Sequence, residues 1–174
     1  MSYAKQMLDS YSRTFNVDNG LLASTIDALN DCAQACTADV DADLGEQDVS
    51  EMVKCIRLCM ECADICVATV TVTSRLAEYD SKITKPLLEA CAAACKSCGD
   101  ECERHAQMHK HCRVCGEACR RCEQVCRELL DTMKSGTGYF RPVWSISFGM
   151  VDLEYKIWSG ARDLNPGPHG PEPR

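Results

Sequence analysis

The sequence is poor in ordinary core material. Aromatic residues make up only 6% of the 174 residues. No run approaches the roughly 18 apolar residues that a membrane-spanning helix needs, so no membrane attachment is expected. The N-terminal stretch, residues 1–15, has no apolar run of the kind that marks a secretory leader, which predicts a cytoplasmic protein. Basic residues are outnumbered, 19 Lys and Arg against 26 Asp and Glu for a net charge of −7. That balance argues against a nucleic-acid binder, whose surface would be basic. Residues 1–134 contain a single proline, Pro86. No base–nucleophile arrangement and no cofactor fingerprint is visible, so no enzymatic activity is expected.

Cysteine is abundant instead, with 15 residues. An odd number leaves at least one thiol without an internal partner. In a chain read as intracellular, so many thiols point to metal or redox chemistry rather than to a disulfide scaffold.

The composition changes near Ser135. Residues 135–174 hold five of the six prolines, six of the ten glycines and no cysteine, and their charges cancel. The final Pro- and Gly-rich stretch cannot form helix or sheet. Trp144, Ile146 and Phe148 alternate as in one short strand, which is not stable alone. The tail is therefore expected to be largely disordered, and residues 1–134 to form the folded domain.

Residues 1–134 read as helix throughout. A short leading helix is predicted over about 2–11, with long helices over about 20–43, 49–77, 82–108 and 111–134. Asp48 with Glu51 has the spacing of a capping box. Short connections make neighbouring helices antiparallel, so the fold class is all-α, an up-down-up-down four-helix bundle.

The cysteine spacing carries the chemistry. The second long helix holds Cys55, Cys59, Cys62 and Cys66; the third Cys91, Cys95, Cys98 and Cys102; the fourth Cys115, Cys119, Cys122 and Cys126. Steps of 4, 3 and 4 form the a/d seam of a heptad, so all four thiols of each helix face the bundle axis. The first long helix begins the same ladder with Cys32 and Cys36, then places Asp39 and Asp43 at the next two rungs. Leu or Ile would stabilise such a seam better, and packing alone gives no reason for sulfur in successive layers. Thiolates select Cu(I), Zn(II) or iron–sulfur clusters. Zinc takes about four ligands in a closed site, whereas a continuous stack suits an ion content with two or three shared thiolates, as Cu(I) is.

Extending the seams assigns the ends. His105 and His109 follow Cys102, Cys112 precedes Cys115, and Met52 precedes Cys55, all at the end that carries Asp39 and Asp43. His111 falls off the seam and Met108 likewise. The opposite end runs into Leu22, Leu29, Leu76, Leu88, Leu129 and Met133. One end is a polar mouth and the other an apolar plug. Gly99 and Gly116 are expected to be close-packing positions. The Glu-x-x-His motif of ferritin-like bundles is missing, because Cys102 stands three residues before His105.

With its three full C-x3-C-x2-C-x3-C ladders, the segment from Cys98 through Glu101 and Cys102 to His105, and the run His109, Lys110, His111, Cys112, the chain resembles the cytosolic four-helix-bundle copper storage proteins of bacteria. The resemblance covers about residues 1–134. It implies a homotetramer of bundles, each holding many Cu(I) ions in its core and taking them up through an open end lined by His and other ligands. Some relatives carry a ferredoxin-like label, which keeps an iron–sulfur protein as the alternative. The departure is at Asp39 and Asp43, where the family places cysteines. A hard carboxylate is a poor Cu(I) ligand, so either capacity near the mouth is reduced or that end suits a different metal.

Overall fold

Short polar side chains set the helix starts. Ser2 accepts from the Lys5 amide and opens α1 (Tyr3–Asp9). Asp18 accepts from the amides of Gly20 (2.7 Å) and Leu21 (3.0 Å) and opens α2 (Asn19–Leu44). Asp80 accepts from Lys82 (2.8 Å) and opens α4 (Ser81–His105). Each satisfies amides that have no partner inside the helix. At α3 (Val49–Thr73) the expected capping box is not made. Asp48 sits at the cap, but its side chain makes no capping bond because its backbone (φ −102°, ψ 50°) is not extended. Glu51 still lies in the first turn, where the helix dipole favours a negative charge. The last helix is α5 (Lys110–Lys134). This computed structural model describes residues 2–12, 17–77 and 79–134; the predicted tail, including the Trp144–Phe148 strand, lies outside them.

Two helices stop earlier than their periodicity predicts. α3 ends at Thr73 rather than near residue 77. Its last turns are rich in β-branched residues, and Thr69, Thr71 and Thr73 turn their hydroxyls onto carbonyls four residues back. Such side chains lose rotamer freedom in a helix and compete for its backbone. α4 ends at His105 rather than near 108. The amides of Met108 and His109 both close onto the His105 carbonyl, at 3.0 and 2.9 Å, making the turn that reverses the chain into α5.

The four long helices form the expected all-α bundle. α2 packs on α3 and α5, and α4 packs on the same two, so α2 faces α4 and α3 faces α5 across the axis. α1 packs on α2 and contributes the buried Leu8. The apolar end is built from Leu22, Leu29, Leu76, Leu88 and Leu129, all essentially buried. Four buried threonines, Thr25, Thr69, Thr73 and Thr84, share this end. Each hydroxyl is satisfied by its own helix, which removes the cost of an unpaired buried donor.

Gly99 is the close-packing glycine. A Cβ there would lie 3.2 Å from the Arg120 guanidinium, which crosses from α5 to bond Asp100 (2.6 Å) and Glu103 (2.7 Å). Gly116 differs from expectation. A Cβ there would meet Cys102 and Glu103 at ordinary contact distances, 3.6 Å and beyond.

Candidate metal centre

All fifteen cysteines are free thiols, and all are buried. Heptad spacing turns every ladder residue inward, so the sulfurs meet on the axis rather than lining a surface. Along one helix, successive i,i+4 sulfurs are 3.9–4.0 Å apart, as in Cys32–Cys36, Cys62–Cys66 and Cys98–Cys102. Between helices the spacing is similar or shorter: Cys59–Cys98 3.4 Å, Cys66–Cys91 3.6 Å, Cys36–Cys119 3.7 Å. An ion with metal–sulfur bonds of about 2.3 Å sets three trigonal sulfurs about 4 Å apart. The thiols therefore already stand near a metal-binding spacing.

The donors fall into overlapping groups of four. Cys32, Cys66, Cys95 and Cys122 form one group; Cys32, Cys36, Cys62 and Cys119 the next. They are followed by Cys36, Cys98, Cys115 and Cys119, then by Cys59, Cys98, Cys102 and Cys115. In each group every donor atom lies within 4.8 Å of the others. Neighbouring groups share members, so the stack has no gap along the axis. Cys126 lies beyond Cys122 toward the plug, fully buried.

The register differs from four level ladders. Cys32 contacts Cys95 (3.9 Å), Cys36 contacts Cys98 (3.9 Å), and Asp39 contacts Cys102 (3.6 Å). The α2 ladder is thus offset by one rung, with Leu29 at the level of Cys91. Asp39 consequently sits inside the stack. It groups with Cys55, Cys59 and Cys102, with its Oδ2 3.3 Å from the Cys59 sulfur and 3.9 Å from that of Cys55.

The mouth lies where Asp43, Met52, His105, His109 and Cys112 were expected to gather. A cleft of about 430 Å³ there is lined by residues including Glu46, Met52, His105, Met108 and His109. Met52 is 2% exposed, whereas Met108 is an exposed rim residue. His105 Nε2 approaches Glu101 Oε1 at 3.5 Å, and His109 Nδ1 approaches Glu46 Oε1 at 3.1 Å. His111, read from its heptad position as off the seam, reaches the axis nonetheless. Its Nδ1 lies 2.8 Å from Asp39 Oδ1 and 3.4 Å from Asp43 Oδ1, and its Nε2 lies 3.1 Å from Glu46 Oε1. From the position just before Cys112, its ring still reaches the buried carboxylates of α2.

Two acidic residues have no clear mark in the sequence. Glu46 lies in the α2–α3 connection and receives both His109 and His111. Glu101 is buried on α4, held by Lys54 of α3 and by Arg104. The sequence signals for Glu101 are its place in the segment from Cys98 to His105 and its position four residues before His105.

Electrostatics separate the stack from the mouth. Burial pushes every ladder thiol up, and hydrogen bonding between sulfurs redistributes the effect. Cys32, stabilised foremost by Cys119, and Cys98, stabilised foremost by Cys102, are pulled down; Cys36 and Cys119, each acted on most strongly by Cys115, are pushed up. At the mouth, burial raises Asp43 to about 7, helped by the charges of Cys55 and Asp39. Burial also raises Asp39, with the His111 bond opposing it. Burial pulls His111 down, but its bonds to Asp39 and Glu46 outweigh that and hold it above its ordinary value. His111 and then His109 hold Glu46 below its ordinary value.

The sequence profile of the copper storage proteins matches residues 18–131, the whole of the four-helix bundle but its last residues. The chain belongs to the copper storage protein family. It is similar to the copper storage protein Ccsp of Streptomyces lividans, solved loaded with 10 copper equivalents. That likeness has 51% identity and a TM-score of 0.72 over 74% of this chain and 98% of that one. It is also similar to a Cu(I)-bound copper storage protein, BsCsp3, at 35% identity and a TM-score of 0.57 over 63% of this chain and 98% of that one. Among curated proteins it is 38% identical to the cysteine-rich protein YhjQ of Bacillus subtilis (strain 168), over 60% of this chain and 91% of that protein. Membership fits the geometry: a family built to hold copper needs soft donors in a closed stack, and this bundle supplies them. Among the described residues, no helix is long and apolar enough to cross a membrane.

Proposed function

We propose that this copper storage protein sequesters many Cu(I) ions in its axial thiolate stack and performs no catalysis. The carrying observation is the overlap of four-donor groups. Each shared sulfur can bridge neighbouring ions, so occupancy extends from layer to layer instead of stopping at isolated sites. Cys32, Cys36 and the twelve ladder cysteines of α3, α4 and α5 hold the ions. His105, His109 and Cys112 receive them at the mouth, with Met52, Asp39 and Asp43 alongside. The Leu- and Thr-lined end is closed to a charged ion, which would have to shed its ligands there.

Residues 1–134 constitute the storage bundle and residues 135–174 an appendage without a role in binding. The cytoplasm is the location this reading favours, supported by the Streptomyces lividans relative, described as a cytosolic copper storage protein. Assembly into a homotetramer is part of the same reading, and Val53, Met60 and Val67, exposed at seven-residue intervals along α3, support it as an outward apolar stripe.

The protein isolated from copper-supplemented cells tests storage against the iron–sulfur alternative. Storage predicts a colourless protein containing copper and no acid-labile sulfide. A brown protein with iron and sulfide in equal amounts would refute it.

A further inference from the structure

The thiol ladder occupies one side of α3, and a second heptad seam runs along the other. Val53, Arg57, Met60, Asp64, Val67 and Thr71 follow in steps of 4 and 3, about 150° round the helix from the thiols. All six are exposed. Val53, Met60 and Val67, at 62%, 53% and 54% exposure, form an apolar line about 21 Å long. Among the described residues, α2, α4 and α5 each expose one large apolar side chain, Leu44, Ile83 and Val114, so the outward stripe is confined to α3. Large apolar side chains in line on one helix mark a contact surface, whereas single scattered ones need no explanation.

The charges in the seam say what covers it. Arg57 and Asp64 flank Met60, one on either side. About a twofold axis near Met60, a second α3 running antiparallel sets Val53 level with Val67 of the second copy and Arg57 beside its Asp64, twice over by symmetry. A parallel pair would oppose Arg57 to Arg57 and Asp64 to Asp64. It would also bring together the acidic starts of both α3 helices, where Asp48 and Glu51 line the mouth cleft. Like charges set against each other disfavour that arrangement. Arg57 bonds Glu61 of its own helix through Nε at 2.6 Å, an exposed pair of small worth. The two terminal guanidinium nitrogens take no part in that bond and can meet a second carboxylate.

We infer that the outer face of α3 is an isologous interface, packed antiparallel on α3 of a second copy with Met60 near the twofold axis. The inference rests on the homotetramer reading and adds the face and the direction of one of its contacts. Because α3 starts at the mouth, the antiparallel direction sets the mouth of one bundle beside the closed end of the other. The two mouths then face opposite ways, and each stack loads without crossing the other's entry. The thiols of α3 lie on the far side of the helix from this contact, so assembly and copper capacity are separable.

The test uses the full chain, reduced and anaerobic, and reads assembled mass by sedimentation equilibrium, helix content by circular dichroism and capacity by Cu(I) titration. The native chain should associate. Met60→Glu, which sets two carboxylates against each other at the axis, should at least halve the assembled mass while helix content and Cu(I) capacity stay unchanged. Arg57→Asp and Asp64→Arg should each do the same in part, and the double variant, which exchanges the two charges, should restore the native mass. A parallel pair would gain nothing from that exchange. A native chain that is monomeric throughout overturns the homotetramer reading and the inference together. An oligomer that Met60→Glu leaves intact overturns the inference alone, as does a double variant that associates no better than the single ones. A capacity that falls when Met60→Glu separates the copies would overturn the independence of assembly and stack.

Discussion

Asp39 stands level with Cys102, its carboxylate 3.6 Å from that sulfur and 3.3 Å from Cys59, so a hard donor interrupts an otherwise soft layer. The interruption is within the stack and not merely at its rim. Asp39→Cys should complete an all-sulfur group with Cys55, Cys59 and Cys102 and raise Cu(I) capacity by about one ion per chain. Asp43→Cys, one rung nearer the mouth, should add less. Anaerobic Cu(I) titration of the two variants checks the order.

The histidines at the mouth govern rate rather than capacity. Neutral imidazole is a competent transient ligand, and the stack begins directly below His105 and His109. Replacing both by Ala should slow Cu(I) uptake, and removal by a strong chelator, severalfold or more, with the final stoichiometry nearly unchanged. Stopped-flow uptake kinetics measure this. Unchanged rates would move the point of admission elsewhere on the bundle.

How far the sequence can be read follows from what each feature depends on. The seam depends only on helical periodicity, so Cys55–Cys66, Cys91–Cys102 and Cys115–Cys126 declare both the bundle and its lining. Register depends on how neighbouring helices slide against one another, and no single helix encodes it. The one-rung offset of Cys32 against Cys91 is therefore invisible in the sequence, where Asp39 looks closer to the rim than it is. An ideal heptad turns His111 outward, yet a long side chain beside a loosely closed mouth can bend inward. Glu46 lies in a connection, where periodicity says nothing.

The metal-free bundle should lose stability as pH rises through neutrality. Asp43 titrates near 7 in the folded chain against 3.8 when exposed, so the folded state keeps a proton that the unfolded chain releases. That contribution is complete below about pH 4 and is lost as pH rises through 7. His111, held above 6.5, acts with the same sign: its contribution is present below 6.5 and lost as pH rises through the folded value. Glu46, Asp100 and Glu103 are pulled down by their cationic neighbours and act oppositely, but only as pH falls below about 4.5. Thermal melts of the metal-free chain should show Tm falling by several degrees from pH 5 to pH 8. Asp43→Asn should flatten that slope.

Removing residues 135–174 should leave both helix content and copper capacity as they are, because the segment contains no cysteine. Circular dichroism and copper analysis of the truncated chain check this; a large loss of either would give the tail a part in the bundle.

The central claim is a continuous stack of shared thiolates, and counting ions tests it most directly. Fourteen ladder thiols, each bridging neighbouring ions, should hold on the order of ten or more Cu(I) per chain. Anaerobic titration of the reduced, full-length protein with Cu(I), followed by elemental analysis after desalting, gives that number. About ten or more retained ions is the result the shared stack predicts. Saturation at one or two ions would contradict it, because isolated sites would then suffice.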